Sequence, residues 1–154
     1  MKLAFTYGKH YNASVEWEQR GLRKWLTGIF EASTINITRG CTPHIREHVE
    51  TEFLNEGWAL GVKLNQDYGL EVTAEKEGLA FQLQTGNMSR APYDLLKLQF
   101  LFQNGRIQAA ALALPTKEAA REIGDNIANA ERVIRELELF DRVITVPIFI
   151  IAFE

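Results

Sequence analysis

Two apolar runs set the strongest limit on how this chain folds. Residues 107–114 and 143–153 contain no charged side chain. A strand that is apolar on both faces needs cover on both, which means the interior of a parallel or mixed sheet flanked by helices. The second run carries Pro147 and is too short to span a bilayer. Both runs read as buried strands.

The rest of the chain supplies the cover. Thr116 caps a long helix running to about Leu139. Upstream, Thr42 takes an N-cap position with Pro43 in the first turn, Ile45, Val49 and Phe53 recur along one face, and Gly57 ends the helix. Strand patterns follow at 58–64, 70–75 and 79–85, the last two joined tightly by Lys76-Glu77-Gly78. In the third, Leu79, Phe81 and Leu83 alternate with Ala80, Gln82 and Gln84. Pro92 then opens a helix through Leu95, Leu96, Leu98, Phe100, Leu101 and Phe102, apolar most of the way round and so expected to be deeply buried. Asn104-Gly105 stops it. Residues 2–7 read as a short strand, and Ser14 opens a first helix through Trp17, Leu22, Trp25, Leu26, Ile29 and Phe30, which Gly21 and Gly28 weaken. From Thr42 onward the order is helix, three strands, helix, strand, an α/β protein with a mixed sheet.

A length of 154 residues, 46% hydrophobic and 24% charged, fits one globular domain over 1–154. The single cysteine, Cys41, excludes an internal disulfide and a multi-cysteine zinc site. The opening residues lack the apolar run of a secretion signal, so a cytoplasmic protein without a membrane partner is expected. A net charge of −3 gives no general pull toward nucleic acid, so DNA binding requires a local basic patch.

Residues 78–100 carry the informative motif. They read Gly-Leu-Ala-Phe-Gln-Leu-Gln-Thr-Gly-Asn-Met-Ser-Arg-Ala-Pro-Tyr-Asp-Leu-Leu-Lys-Leu-Gln-Phe. This resembles the active-site segment of type II restriction endonucleases of the BglII and BstYI kind. There a strand ends in Glu-X-Gln, an Asn follows, and a helix then carries Tyr-Asp-Leu-Leu-Lys. Tyr93 to Lys97 is the most specific part of the match, and Val146-Pro147-Ile148 is also similar. The resemblance runs from Thr42 to the end, and it does not place residues 1–41.

The resemblance implies a restriction-endonuclease-like core with an extra C-terminal helix and strand. It also implies a Mg²⁺-dependent homodimer acting on double-stranded DNA with a GATC centre, with an Asp on one strand and the Glu of Glu-X-Gln on the next as metal ligands. In this sequence Gln82 stands at the Glu position, Gln84 keeps the Gln, and Thr73 falls at the Asp position. Mg²⁺ is hard and strongly hydrated, and a hydroxyl with an amide brings no charge to offset its dehydration. The expectation is a non-cleaving relative with no cofactor, retained for DNA binding or as a dimeric interaction protein. An active nuclease with displaced carboxylates would use Glu75 or Glu71, which share side-chain parity with Thr73, and would then need Mg²⁺. A non-enzymatic interaction protein on the same fold is the third reading.

Lesser signals also stand in the sequence. After the Glu-X-Gln position come Asn87, Ser89 and Arg90 as candidate DNA contacts, and Asn87 either reads adenine or serves a turn. His44, Glu47 and His48 spell an inverted zinc-protease string with no third ligand, more simply an exposed helix face. Arg20, Arg23 and Lys24 fall at helical spacing, as a solvated face or a phosphate patch. Trp17, Trp25 and Trp58 are expected in the core.

Overall fold

A computed structural model describes residues 1–154. Six strands form one mixed sheet: β1 (Leu3–Tyr7), β2 (Ala59–Lys63), β3 (Glu71–Lys76), β4 (Leu79–Leu83), β5 (Ala109–Pro115) and β6 (Ile148–Phe153). Their spatial order is β1-β6-β5-β4-β3-β2. The central strands β4, β5 and β6 run parallel, while β1, β2 and β3 pair antiparallel at the edges. The first apolar run becomes β5 and the second half of the later run becomes β6, both buried at every residue. Residues 143–147, expected in the same strand, lie outside it, and Val143 is 61% exposed.

Helices α1 (Ala13–Gln19), α2 (Arg23–Gly28) and α3 (Thr42–Asn55) cover one face, and α4 (Ala91–Gln103) and α6 (Ala130–Leu139) the other. A short α5 (Lys117–Ile123) precedes α6. The order α3, β2, β3, β4, α4, β5 is the one the sequence implies. Because β4, β5 and β6 follow one another across the sheet, their crossovers through α4 and α6 lie on one side, as the right-handed rule requires. On the other face Trp17 and Trp58 stack at 5.9 Å, with Trp25 stacked on Trp58, so all three indoles sit in or against the core.

Several local expectations are corrected. The first helix is two, because Gly21 turns at φ +69° between α1 and α2, and Asn12 rather than Ser14 precedes α1. Arg20, Arg23 and Lys24 therefore share no helix face. Arg20 bonds the Glu77 carbonyl at 2.6 Å, and Arg23 bonds Glu18. The long C-terminal helix is also two. Thr116 caps α5 as expected, but Gly124 stops it and Asn129 starts α6 by accepting from Arg132 N–H. Cys41, not Thr42, is the N-cap of α3, with Thr42 its first residue. Helix α4 is not buried all round. The sheet covers one side only, so Leu95, Leu98 and Leu101 are buried while Tyr93, Leu96 and Phe100 face outward.

The edge strands carry one more feature that shapes the site. Leu60 and Ala74 belong to the core under α3, yet Val62 and Val72, two residues along each strand, belong to the core under α4. Side chains two apart on a regular strand share a face. The pair thus rolls over between them, at Thr73 and at Gly61, whose φ of +56° suits glycine.

Candidate functional site

Thr73 and Gln82 lie side by side at this irregular point. The register of β3 and β4 has Ala74 opposite Phe81, which brings Thr73 opposite Gln82. Their side chains supply the hydrogen bonds there. Thr73 Oγ1 accepts from Leu83 N–H at 3.0 Å, and Gln82 Oε1 accepts from Thr73 N–H at 3.2 Å. Both residues line a recess of about 170 Å³ together with Arg46, Glu50, Glu71 and Lys97. The expected juxtaposition on adjacent strands, next to α4, is therefore present.

Just beyond, Gln84 joins a buried polar clasp. Its Nε2 donates to Asp94 Oδ2, and its Oε1 accepts from Gly86 N–H at 2.7 Å. Asp94 is 3% exposed and pairs through Oδ1 with Lys97 Nζ at 2.7 Å. Lys97 Nζ also donates to the Glu71 carbonyl at 2.8 Å. Burial pushes the Asp94 carboxyl above its usual pKa, opposed by Lys97, Gln84 and Arg90, which favour the anion. The clasp ties the exit of β4 to α4 and β3. Removing one member of such a buried pair costs about 3–5 kcal/mol, because the other charge is stranded.

A wider cleft of about 460 Å³ opens between α3 and α4 over the end of β4. Thr42 and Arg46 come from α3, and Arg90, Tyr93, Asp94 and Lys97 from the start of α4. Three cations stand in it against one carboxylate, Asp94. Lys97 is committed to Asp94, whereas Arg46 and Arg90 are exposed residues whose side chains form no hydrogen bond or ion pair with another side chain.

The other candidates fall in different places. Glu75 is not at the recess. It is ion-paired with Arg106 at 2.6 Å, while Glu71 lines the recess, so their shared parity does not bring both there. Asn87 Oδ1 accepts from Ser89 N–H at 2.9 Å and from Asn126, the hydrogen bonds of a turn. Arg90 lines the cleft, and Asn87 and Ser89 stand outside its lining. The histidines of the zinc-protease string are divided. His48 Nε2 lies 2.8 Å from the Ile29 carbonyl, while His44 lines a separate pocket with Arg39.

These donors do not fit Mg²⁺. Thr73 and Gln82 offer neutral oxygens already engaged with the backbone, and Asp94 is neutralised by Lys97. Glu50 and Glu71 share their recess with two cations, Arg46 and Lys97. No three His, Cys, Asp or Glu side chains are grouped to hold a metal ion. Reading the sequence missed Arg46, Glu50, Asp94 and Lys97 as site residues, although Asp94 and Lys97 lie inside the motif that carried the resemblance.

Comparison with known proteins gives a consistent result. The family described as restriction endonuclease BglII/BglIII matches residues 5–153. The structure is similar to that of free BglII, with a TM-score of 0.72 and 11% identity, covering 100% of this chain and 80% of that one. It is also similar to restriction endonuclease BglII complexed with a DNA 16-mer, with a TM-score of 0.65 and 11% identity, covering 71% of this chain. In that comparison the chain spans 54% of the BglII chain. No curated protein matches by sequence.

Proposed function

Because the chain belongs to the BglII/BglIII restriction endonuclease family, we propose that it binds double-stranded DNA in the cleft between α3 and α4 without cleaving it, as a cytoplasmic homodimer. The observation that carries this reading is the composition of the site. Where the family resemblance calls for two carboxylates stand Thr73 and Gln82, each hydrogen-bonded into the β3–β4 ladder. Hydrolysis of a phosphodiester by this kind of site needs a metal to activate water and to neutralise charge on phosphorus. The neutral pair supports neither role. The cleft keeps what binding needs, an exposed cationic lining that contacts phosphate oxygens without regard to sequence.

One observation favours a second reading, an active Mg²⁺-dependent nuclease with displaced carboxylates. Glu71 and Glu50 do line the recess beside Thr73 and Gln82. A single experiment separates the two. Binding of a fluorescent duplex is followed against salt, and the same duplex is incubated with Mg²⁺ or Mn²⁺. The proposal expects salt-dependent binding and an intact duplex. Nicking that is abolished by Glu71→Gln establishes the second reading. Absence of binding at low salt leaves a non-enzymatic interaction protein.

A further inference from the structure

We infer that Arg46 and Arg90 supply the positive charge that a metal ion would otherwise bring to a DNA phosphate, so that binding by this chain needs no divalent cation. The inference rests on the DNA-binding reading above and adds the residues responsible and their independence of metal.

Three features of the cleft support it. Arg46 lines both the wide cleft and the small recess, and so stands beside Thr73 and Gln82, where the missing carboxylates would have held charge. Arg90 lines the same cleft from the start of α4. Both residues are exposed and neither is in an ion pair, although Arg46 shares the small recess with Glu50 and Glu71 and Arg90 acts at longer range on Asp94. Lys97 is committed to Asp94 and the Glu71 carbonyl. A guanidinium presents a planar fork of donors that matches two phosphate oxygens, stays charged at every working pH, and sheds water more readily than an ammonium. Thr42 and Tyr93 put hydroxyl groups on the same lining. The chain carries −3 overall, so its attraction for a polyanion has to come from such a local group. A metal site made by two carboxylates changes from negative to positive only when loaded. Fixed arginines give the positive state without an ion.

The test is binding of a short fluorescent DNA duplex of mixed sequence, measured across salt in EDTA and again with Mg²⁺. Wild type is expected to bind in EDTA, with Mg²⁺ giving no gain and weakening binding only as a competing counterion. Arg46→Gln and Arg90→Gln should each reduce the slope of log affinity against log salt by about 1, and the double variant by about 2. Arg46→Lys and Arg90→Lys keep the charge and should keep the slope. Arg132→Gln on α6, a residue bonded to Glu136, should match wild type. Thermal melts confirm that the variants fold, which exposed positions allow. Binding that requires Mg²⁺, or slopes unchanged in the double variant, overturns the inference and leaves DNA binding intact. Failure of wild type to bind at low salt in either buffer removes the DNA-binding reading itself.

Discussion

Thr73 and Gln82 complete a ladder that the backbone leaves open, and this bears on what restoring carboxylates would do. In Thr73→Asp, Gln82→Glu the two donors, Leu83 N–H and Thr73 N–H, remain in place to meet carboxylate oxygens. Two negative charges then stand on adjacent strands and repel, so the double variant should be less stable than wild type without metal. Mn²⁺ bridging them binds only the folded state, and at a hundredfold excess over its Kd it contributes about 2.7 kcal/mol. Thermal melts with and without Mn²⁺ read this directly, and each single variant should respond less. A double variant whose melting temperature ignores Mn²⁺ would show that these two positions do not form one site. The positions themselves were legible because the motif and side-chain alternation are local. Asp94, Lys97 and Arg46 were not. Asp94 in a first helical turn reads as an ordinary helix residue, and its partner Gln84 lies ten positions away, just past the end of β4. Arg46 sits on an exposed helix face, and only the packing of α3 beside β4 places it at the cleft.

Among the elements, those with a strong apolar pattern or a short turn were read correctly, and errors gathered where a break had only a glycine or asparagine to announce it. Strands β5 and β6 declared themselves through unbroken apolar runs, but the second run begins at Val143, ahead of Pro147, whereas β6 begins only at Ile148. The β3–β4 hairpin did so through Glu77-Gly78, both at positive φ, 46° and 78°. Gly21 and Gly124 each interrupt an apolar pattern that continues in phase beyond them, so periodicity alone joins helices that the backbone separates. Gly61 marks the roll-over of β2 and β3, a glycine signal inside a strand that alternation ignores. The hairpin yields a prediction of its own. A two-residue turn with both residues left-handed favours Asn over Glu at its first position. Glu77→Asn should stabilise the protein by about 0.5 kcal/mol, since it relieves that backbone cost. Gly78→Ala should destabilise it, because the new Cβ would lie 2.0 Å from Gln108 Oε1 at a φ of +78°. A loss of about 1–2 kcal/mol is expected. Urea unfolding measures both, and equal midpoints for the two variants would contradict this account of the turn.

For the whole molecule, the outward side of α4 is a departure from a covered core. Tyr93 is 62% exposed, Leu96 53% and Phe100 40%, and Leu70 at 46% and Tyr68 at 65% stand near them. Contiguous exposed apolar side chains of this kind mark interaction surfaces more often than free ones. The proposed homodimer gives this face a partner. In a twofold dimer the same patch meets itself, so α4 of one copy would lie against α4 of the other. Tyr93 borders both the patch and the arginine-lined cleft, so this arrangement would set two clefts side by side and present their cations to one duplex. The low net charge of −3 offers little repulsion against such pairing. Light scattering should therefore find twice the chain mass at micromolar concentration. Leu96→Asp with Phe100→Ser places a charge and a hydroxyl in the centre of the patch and should shift the mass to that of one chain. Both side chains are exposed, so the variant's own fold should survive, and far-ultraviolet circular dichroism checks that. Wild type that stays monomeric at high concentration ends the dimer proposal. A variant that stays dimeric moves the interface off α4, and the helix at Thr42–Asn55 is then the next face to alter.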